Sequence, residues 1–418
     1  MQDVKPLEFF RLQTREEVLA LYDRFPAVGA EDVELAQALG RVLAADIAAP
    51  EDVPGFLRAS MDGYAVAARD TFGASVAAPQ YLELKGEVAM GAAPARSVGP
   101  GETLRVPTGA MLPPGADAVV MLEYAAEHPG GTLEVRRPVA PGENVLAPGE
   151  DVRQGEPLFP AGIRLRPQDI GLLAALGITQ LRAYQKPRVA ILSSGDEIVP
   201  ISHEPAPGQV RDSNAHLAAA QVADWGGIPL LQGIVPDDFA VLKAALTEAQ
   251  AASDLVLVSG GSSVGARDLT LTAIKALPGA EILVHGVAIR PGKPTILASL
   301  GEPSPKPLLG LPGHPASAAV VMEVLGRPLL SHLGGPKEPA PWGRTVTAAL
   351  SRNLAGASGR EDFVRVRLRQ EGDTLWADPV LGPSGLLSPL VKSDGLVMIP
   401  LGVEGLFKGE KVEVQLFG

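Results

Sequence analysis

Residues 255–268 read LVLVSGGSSVGARD, and this stretch predicts the centre of the fold. Four consecutive branched aliphatic residues predict a β-strand that is buried on both faces. The glycines and serines that follow predict a loop whose backbone N–H groups and hydroxyls can approach an anion. Asp268 stands where a helical pattern resumes, so it is a candidate helix cap. These residues alone leave two readings open, a tight strand–helix turn or a phosphate-binding loop.

The sequence on both sides of this stretch alternates between strand and helix patterns. Strand patterns occur at 188–192, 229–235, 254–259 and 282–289, and helix patterns near 213–225, 238–251 and 269–276. This alternation predicts an α/β domain with a parallel sheet, whose ligands bind at the carboxyl ends of the strands. Residues 308–311 then lead through a Pro-Gly loop into a final apolar helix of about four turns.

The remaining segments predict a multidomain α/β protein with four domains. Residues 1–45 and 147–177 form a predicted helical, elongated linker domain, with a capping box at Thr14-Arg15-Glu16-Glu17. A second helix in it is predicted to carry Leu35, Leu39, Val42 and Leu43. The other predicted domains are a β-rich insertion at 46–146, the central α/β domain at 178–330 and a small C-terminal β-barrel at 331–418.

Composition excludes several classes of function. The net charge of the 418-residue chain is −12, which disfavours general nucleic-acid binding. The chain has no cysteine, so disulfides, thiolate metal sites and cysteine nucleophiles are excluded. Neither a secretory signal nor a run of 18 apolar residues is visible, so the sequence predicts a cytoplasmic protein without a membrane span.

Polar loops follow each of the four predicted strands of the central domain. They are 193–197, 236–238, 259–268 and 290–294. If the sheet is parallel, these loops open on one edge and gather carboxylates (Glu197, Asp237, Asp268) with two cations, Arg290 and Lys293. This mixture suits a phosphorylated ligand with Mg²⁺, since carboxylates bind the ion and Lys293 and loop N–H groups bind phosphate.

A structural role is the alternative for each of these side chains taken singly. Asp196 and Asp237 could be helix caps, and Arg290 and Lys293 could be solvated loop charges. The convergence of the four loops favours the ligand site. Spacing excludes a Walker loop, a G-x-G-x-x-G fingerprint and a G-x-S-x-G elbow. The six histidines lack metal-ligand spacing, although His314 lies in the Pro-Gly loop at a predicted strand end.

The predicted insertion contains two further polar turns. Asp62 lies in the run SMDGYAV (60–66) and Thr108 in VPTGA (106–110). By physics alone each run is typical of a turn rather than of a site.

The motifs taken together resemble one known family. They are SMDGYAV (60–66), VPTGA (106–110), GADAVV (115–120), GEDV (149–152), SGDE (194–197), DSN (212–214), residues 259–268, RPGKP (290–294) and LPGHPAS (311–317), with LAQALGRVLAADI (35–47) before them. In this order they resemble the molybdopterin molybdenumtransferases, the MoeA-type proteins and the corresponding domain of gephyrin. The resemblance covers nearly the whole chain.

This resemblance implies a specific reaction. Such enzymes insert molybdate into adenylylated molybdopterin and release AMP, with a divalent cation such as Mg²⁺, in molybdenum cofactor biosynthesis. The family works as a homodimer whose cleft lies between the α/β domain of one chain and the insertion of the other. Molybdopterin adenylyltransferase and molybdoenzyme maturation proteins are further candidate partners, and no nucleic acid or membrane is expected.

The resemblance also implies roles for individual residues. Asp62, Thr108, Glu197, Asp237 and Asp268 look like the catalytic residues, with the last three as candidate metal ligands. The candidate ligand-binding residues are Ser194, Gly195, Gly260, Gly261, Ser262, Ser263, Gly265, Arg290, Lys293, Pro312, Gly313 and His314.

Three positions depart from the family pattern. His314 stands where asparagine is usual, Leu146 stands where arginine is usual, and residues 56–60 differ from the usual acidic-polar run.

Two alternative functions stay open at this point. One is a molybdopterin adenylyltransferase, which normally lacks the insertion and the barrel. The other is a non-catalytic scaffold like gephyrin, which loss of the acids would favour, but the acids are present.

Overall fold

The computed structural model describes residues 12–260, 264–336 and 344–417, with the side chains of 264–267 excluded. Three of the predicted site residues, Gly261, Ser262 and Ser263, lie outside these ranges. Within them, no helix combines the length and the apolar character that crossing a bilayer requires.

The first helix begins where the capping box predicts. Helix α1 (Arg15–Ala20) starts after Thr14, whose hydroxyl accepts from the backbone N–H of Glu17 while the Glu17 carboxylate accepts from the backbone N–H of Thr14. A 3₁₀ turn, Leu21–Arg24, follows. Val18 and Tyr22 pack into the hydrophobic core on one face of the central sheet, so α1 and the turn after it are anchored to that sheet.

The prediction of a second helix, from Leu35 to Leu43, is wrong. Strand β1 (Ala30–Glu34) is followed only by a 3₁₀ turn, Leu35–Gln37. The backbone N–H groups of Gly40 and Leu43 donate to the carbonyls of Leu165 and Ile163, each at 2.9 Å. Residues 40–43 therefore pair with a distant segment, and their backbone groups are not available to a helix.

The β-rich insertion forms a six-stranded sheet and a two-stranded ribbon. After β2 (Ile47–Ala48), the strands of this segment are β3 (Arg58–Ala59), β4 (Gly63–Val66), β5 (Gln80–Glu87), β6 (Glu102–Val106), β7 (Ala118–Met121), β8 (Ala125–His128), β9 (Thr132–Val135) and β10 (Val145–Leu146). The sheet order is β7-β4-β6-β5-β9-β8, and β3 pairs with β10. Two 3₁₀ turns, Ala68–Thr71 and Leu122–Tyr124, interrupt the strands.

The chain leaves and re-enters the N-terminal region through paired strands. Strand β11 (Pro157–Phe159) pairs with β2, helix α2 (Pro167–Ala175) follows, and β12 (Gln180–Tyr184) pairs antiparallel with β1. The pairs β2–β11 and β1–β12 thus bracket the insertion.

The central segment folds into a six-stranded sheet with helices on both faces. The strands of this segment are β13 (Arg188–Ser194), β14 (Ile198–Val199), β15 (Val210–Arg211), β16 (Ile228–Val235), β17 (Leu255–Gly260), β18 (Glu281–His285), β19 (Ile289–Arg290), β20 (Ile296–Leu300) and β21 (Lys306–Leu311). Six of them form the sheet, whereas β14 and β15 pair only with each other and β19 lies outside it. Its helices are α3 (Ser213–Asp224), α4 (Phe239–Ala252), α5 (Val264–Lys275), α6 (Pro315–Val321) and α7 (Arg327–Leu333), the last two joined by a π-helical turn, Met322–Gly326.

Strand β17 is buried on both faces, as its sequence predicts. Leu255 and Leu257 belong to the core on one side of the sheet, and Val256 and Val258 belong to the core on the other side. In the sheet order β16-β13-β17-β21-β20-β18, the strand pairs in parallel with both of its neighbours. It is therefore the inner strand that joins the two hydrophobic cores.

The sheet contains the predicted parallel strands β16, β13, β17 and β21, and it is mixed because one further strand runs in the opposite direction. Strand β20 runs antiparallel to both β18 and β21. Because β18 has the same direction as β21, the chain from β18 to β20 turns at the carboxyl edge of the parallel strands. The loop with Arg290 and Lys293 thus lies at the predicted edge. It connects two antiparallel strands, β18 and β20, and not two parallel ones.

Two capping assignments also require correction. Helix α5 begins at Val264, so Asp268 lies inside the helix and not at its N-cap. Helix α4 is capped by Asp238, whose carboxylate accepts from the backbone N–H groups of Ala240 and Val241, and not by Asp237.

The C-terminal segment contains a closed five-stranded barrel. Its elements are β22 (Thr345–Leu350), β23 (Leu354–Ala355), β24 (Glu361–Glu371), β25 (Thr374–Pro379), α8 (Ser388–Val391), β26 (Gly395–Ile399), β27 (Gly405–Leu406) and β28 (Lys411–Leu416). The barrel closes in the order β24-β25-β22-β28-β26 and back to β24. Strand β19 adds to β24 in parallel, which attaches the barrel to the central segment.

Packing of α4 on the central sheet gives a direct test of this core. Leu246 is fully buried in the core shared by β13 and β17, whereas Val241, on the same helix, is 44% exposed. Leu246→Ala should lower the free energy of unfolding by about 2–5 kcal/mol, because it leaves a cavity. Val241→Ala is the control and should cost less than about 1 kcal/mol in urea unfolding. Equal losses for the two variants would contradict this packing.

Candidate functional site

Two adjoining cavities open at the carboxyl edge of the central sheet. The first, of about 310 Å³, lies beside the β18–β20 loop, and the second, of about 440 Å³, lies beside the loop after β13. Gly260, Gly313 and His314 line both of them. We call the two cavities together the strand-end cleft. It lies where sheets of this class bind ligands.

The floor of the cleft is formed by the closely spaced ends of β13 and β17. The hydroxyls of Ser193 and Ser259 lie 3.2 Å apart and are both buried. A Cβ atom on Gly260 would lie 2.9 Å from the carbonyl oxygen of Ser194. Only glycine permits this approach, so Gly260 allows the ends of β13 and β17 to lie this close together.

The loop after β13 carries a carboxylate into the cleft. Glu197 lines the second cavity and is half-buried. Next to it, the buried Ser194 hydroxyl donates to Asp237 at 3.0 Å, and the backbone N–H of Asp237 donates to Asp196 at 3.2 Å. These two hydrogen bonds fix the loops after β13 and β16 to each other.

The three acids predicted as metal ligands do not form one cluster. Asp268 is exposed on α5 and lies outside the lining of both cavities. Among the residues with described side chains, no group of three or more His, Asp or Glu residues is close enough to hold a metal ion. Mg²⁺ is usually held by one or two carboxylates together with substrate phosphates and water. Of the other two acids, Glu197 lines the second cavity, whereas Asp237 lies outside the lining of both cavities and accepts a hydrogen bond from Ser194.

Two cations enter the cleft from the β18–β20 loop. Arg290 and Lys293 both line the first cavity, and both are exposed. Gly292 lies between them at φ +122°, and a Cβ there would be 2.6 Å from a methyl group of Val321. The backbone N–H of Val287 donates to the Lys293 carbonyl at 2.9 Å, so the loop is held in one conformation against α6.

His314 forms the boundary between the two cavities. It is the N-cap residue of α6, and its Nδ1 lies 3.0 Å from the Ser384 hydroxyl. The Asn214 side-chain amide donates to the Gly313 carbonyl at 2.9 Å, and Pro312 is buried. The Pro312-Gly313-His314 turn is therefore fixed from both sides, with the imidazole exposed towards the cleft.

Polar residues that were not predicted as site residues also line this cleft. Arg360 and Ser384, from the C-terminal segment, line the first cavity, and Asn214, at the start of α3, lines the second. The charged run Gly359-Arg360-Glu361-Asp362 before a strand pattern is a signal that could have indicated Arg360. With Arg360, three cations and the His314 imidazole line the first cavity, so it can accommodate a polyanion.

The two candidate residues of the insertion, Asp62 and Thr108, form a hydrogen-bonded pair. The backbone N–H and the hydroxyl of Thr108 both donate to Asp62 Oδ1, at 2.7 and 2.9 Å. The backbone hydrogen bond and, second, the hydroxyl bond hold the pKa of Asp62 below its usual value. Both residues are exposed and lie outside the lining of the strand-end cleft. The pair therefore presents an exposed carboxylate that stays ionised at neutral pH.

Family models match the chain in three consecutive parts. Residues 12–177 match the MoeA N-terminal region (domain I and II), residues 190–332 match a probable molybdopterin binding domain, and residues 347–417 match the MoeA C-terminal region (domain IV). The matches follow one another without overlap and cover most of the chain.

Individual relatives match over nearly the same length. The chain is 36% identical to a putative molybdopterin biosynthesis protein of Methanocaldococcus jannaschii, covering 92% of each chain. It is 34% identical to the molybdopterin molybdenumtransferase of Bacillus subtilis, covering 92% of this chain and 89% of that protein. A crystal structure of the molybdopterin biosynthesis MoeA protein of Pyrococcus horikoshii superposes with a TM-score of 0.84 at 32% identity, covering 97% of this chain and all of the other.

The Asp62–Thr108 pair yields a prediction that needs no substrate. Thr108→Val removes the hydroxyl but keeps the backbone N–H, which is the larger cause of the lowered pKa. The pKa of Asp62 should therefore rise only part of the way to its usual value, as followed by a carboxyl-carbon NMR titration. Asp70→Asn, at an acid elsewhere in the insertion, is the control and should leave the Asp62 titration unchanged. An unaltered pKa in Thr108→Val would contradict the hydrogen-bond geometry.

Proposed function

This chain belongs to the MoeA family of molybdopterin biosynthesis proteins, and from that premise we propose that it inserts molybdate into adenylylated molybdopterin and releases AMP. A role in molybdenum cofactor biosynthesis follows from the relatives named molybdopterin molybdenumtransferase and from the three family models. The adenylylated substrate, the metal ion and the assembly are the parts that we add.

One observation supports this proposal more than any other, the set of cations in the first cavity. Molybdate and a pyrophosphate are both anions, and two like charges at contact distance repel each other. Arg290, Lys293 and Arg360 line the same cavity and can neutralise that repulsion. Because the guanidinium groups present paired N–H donors, they can also orient oxyanions in a fixed geometry.

The carboxylates beside the cleft suit a divalent cation. We assign Glu197 and Asp237 as the residues that would hold Mg²⁺ together with the substrate phosphates. When bound, the ion would polarise the phosphate that is cleaved from AMP. Ser194 would keep the Asp237 carboxylate oriented, since its hydroxyl already donates to that group.

The assembly we propose is a homodimer that completes each cleft with an insertion from the other chain. The Asp62–Thr108 pair is exposed, and no hydrogen bond or ion pair among the described residues joins it to the central sheet. An exposed carboxylate held ionised by a backbone N–H has the charge to act on a substrate that a partner chain carries. Asp268, exposed on α5, would then face the partner's insertion.

AMP release tests the reaction. Purified protein with adenylylated molybdopterin should release AMP in a molybdate-dependent manner, and excess chelator should stop it. Glu197→Gln should lower the rate by about 100-fold, as expected when one electrostatic contact to a reacting group is lost. Glu204→Gln, at an exposed acid of the next loop, between β14 and β15, is the matched control and should keep the wild-type rate. Molybdate-independent AMP release by the wild-type protein would reject the proposed reaction.

Subunit mixing tests the shared cleft. Homodimers of Asp62→Ala and of Asp268→Ala should each be inactive, because every cleft has lost one acid. A heterodimer of the two has one cleft without either acid and one intact cleft, so mixing should restore up to about half of the activity per dimer.

The control for this experiment mixes Asp62→Ala with Thr108→Ala chains. Both changes lie on the insertion, so every cleft of that heterodimer stays damaged and no activity should return. If Asp62→Ala and Asp268→Ala heterodimers form but remain inactive, each site is built within one chain. That result would reject the shared cleft but not the proposed reaction.

A further inference from the structure

We propose that Asp362 is a positioning residue that holds the Arg290 guanidinium in the strand-end cleft. The inference rests on the proposed function, because it assigns Arg290 to the binding of an anionic substrate. It adds a residue of the C-terminal barrel that does not itself touch the ligand.

The register of two strands places Asp362 beside Arg290. Strand β19 pairs in parallel with β24, with Ile289 opposite Glu361 and Arg290 opposite Asp362. Asp362 Oδ2 accepts from Arg290 Nη2 in a short ion pair. The barrel therefore supplies the counterion of a cation that the central segment extends into the cleft.

The two partners of this ion pair are in very different environments. The Asp362 side chain is 1% exposed, whereas the Arg290 side chain is 50% exposed and lines the first cavity. A guanidinium has five N–H donors in a rigid plane, so one edge can bind Asp362 while the other faces the cavity. A buried carboxylate is costly unless it is paired, and this cost favours the arrangement in which Arg290 stays against it.

The same carboxylate also holds a second part of the cleft wall. Asp362 Oδ2 accepts from the backbone N–H of Ala357 at 2.7 Å. Ala357 begins the short loop that leads to Arg360, which lines the same cavity as Arg290. One carboxylate oxygen thus fixes both the Arg290 side chain and the loop that carries the neighbouring cation. The other oxygen, Oδ1, is buried and accepts no hydrogen bond from the described residues.

A purely structural role, attaching the barrel to the sheet, is the competing explanation. The preceding residue provides the comparison, because Glu361 also ties the barrel to another segment through an ion pair with Arg15 at 2.9 Å. Consecutive residues of a strand point to opposite sides, and Arg15, the partner of Glu361, lies outside the lining of the first cavity, whereas Arg290, the partner of Asp362, lines it. A barrel attachment would make the two acids equivalent, whereas a positioning role makes only Asp362 affect anion binding.

The experiment measures anion affinity and turnover in the full-length protein. Asp362→Asn keeps the side-chain shape and removes the charge. The dissociation constants of AMP and of molybdate should each rise about tenfold or more, the loss expected when a hydrogen bond between charged groups is weakened. KM for adenylylated molybdopterin should rise more than kcat falls. Glu361→Gln should leave both dissociation constants within about twofold of the wild-type values.

A double-mutant cycle shows whether the effect passes through Arg290. In an Arg290→Met background, Asp362→Asn should weaken AMP binding by less than twofold further, because the group that it positions is gone. A full tenfold loss in that background, or wild-type affinity in Asp362→Asn alone, would overturn the inference. An increase in affinity would also overturn it, because Asp362 would then act by reducing the positive charge of the cleft.

If Asp362→Asn does not fold, Arg290→Lys still tests the inference. This substitution changes a half-exposed side chain, retains its positive charge and removes the planar guanidinium group. It should weaken AMP binding about tenfold if the orientation of the guanidinium is what matters. Wild-type affinity would overturn the inference. If the wild-type protein neither binds AMP or molybdate nor releases AMP, the proposed function fails, which is a result distinct from every outcome above.

Discussion

The fold depends on the burial of strand β17 on both of its faces. A strand in this position cannot be reached by solvent, so every backbone group must pair with a neighbouring strand and every side chain must pack into one of two cores. Parallel pairing with β13 and β21 meets both requirements. It also brings the carboxyl ends of these strands to one edge. The polar loops lie at this edge because the strands themselves are hydrophobic and buried, so the polar residues follow the strand ends.

The sequence predicted those parts of the structure that local patterns determine. The buried strand 255–260, the capping box at Thr14 and the strand–helix alternation of the central segment were all readable from residue types and spacing. The structure of residues 35–43 could not be predicted, since they have a helical hydrophobic spacing but form hydrogen bonds with residues about 120 or more positions away. The direction of β20 was also not readable, because a buried strand has the same composition in either direction.

The part of the candidate site that lies in strand-end loops could be predicted from the sequence. Loops at strand ends could be listed from the sequence, and Glu197, Arg290, Lys293 and His314 do line the strand-end cleft. Arg360 and Ser384 come from a different segment, and their contribution depends on how the barrel lies against the sheet, which no local pattern records. The separation of Asp268 from Glu197 and Asp237 has a similar cause. The geometry of a helix start decides whether its fifth residue faces a cleft, and composition does not.

The bracketing of the insertion by β1–β12 and β2–β11 has a consequence for the order in which the chain assembles. Strand β1 begins at Ala30, but its last partner residue, Tyr184, follows about 150 residues later along the chain. On the ribosome, the inserted sheet has all of its strands before β12 emerges, so it can form from contacts within its own segment. The N-terminal strands must wait unpaired until then, and closing so long a loop is entropically costly for an open chain. A folded insertion shortens that loop, since it holds the ends of its own segment close together before β1 meets its partner.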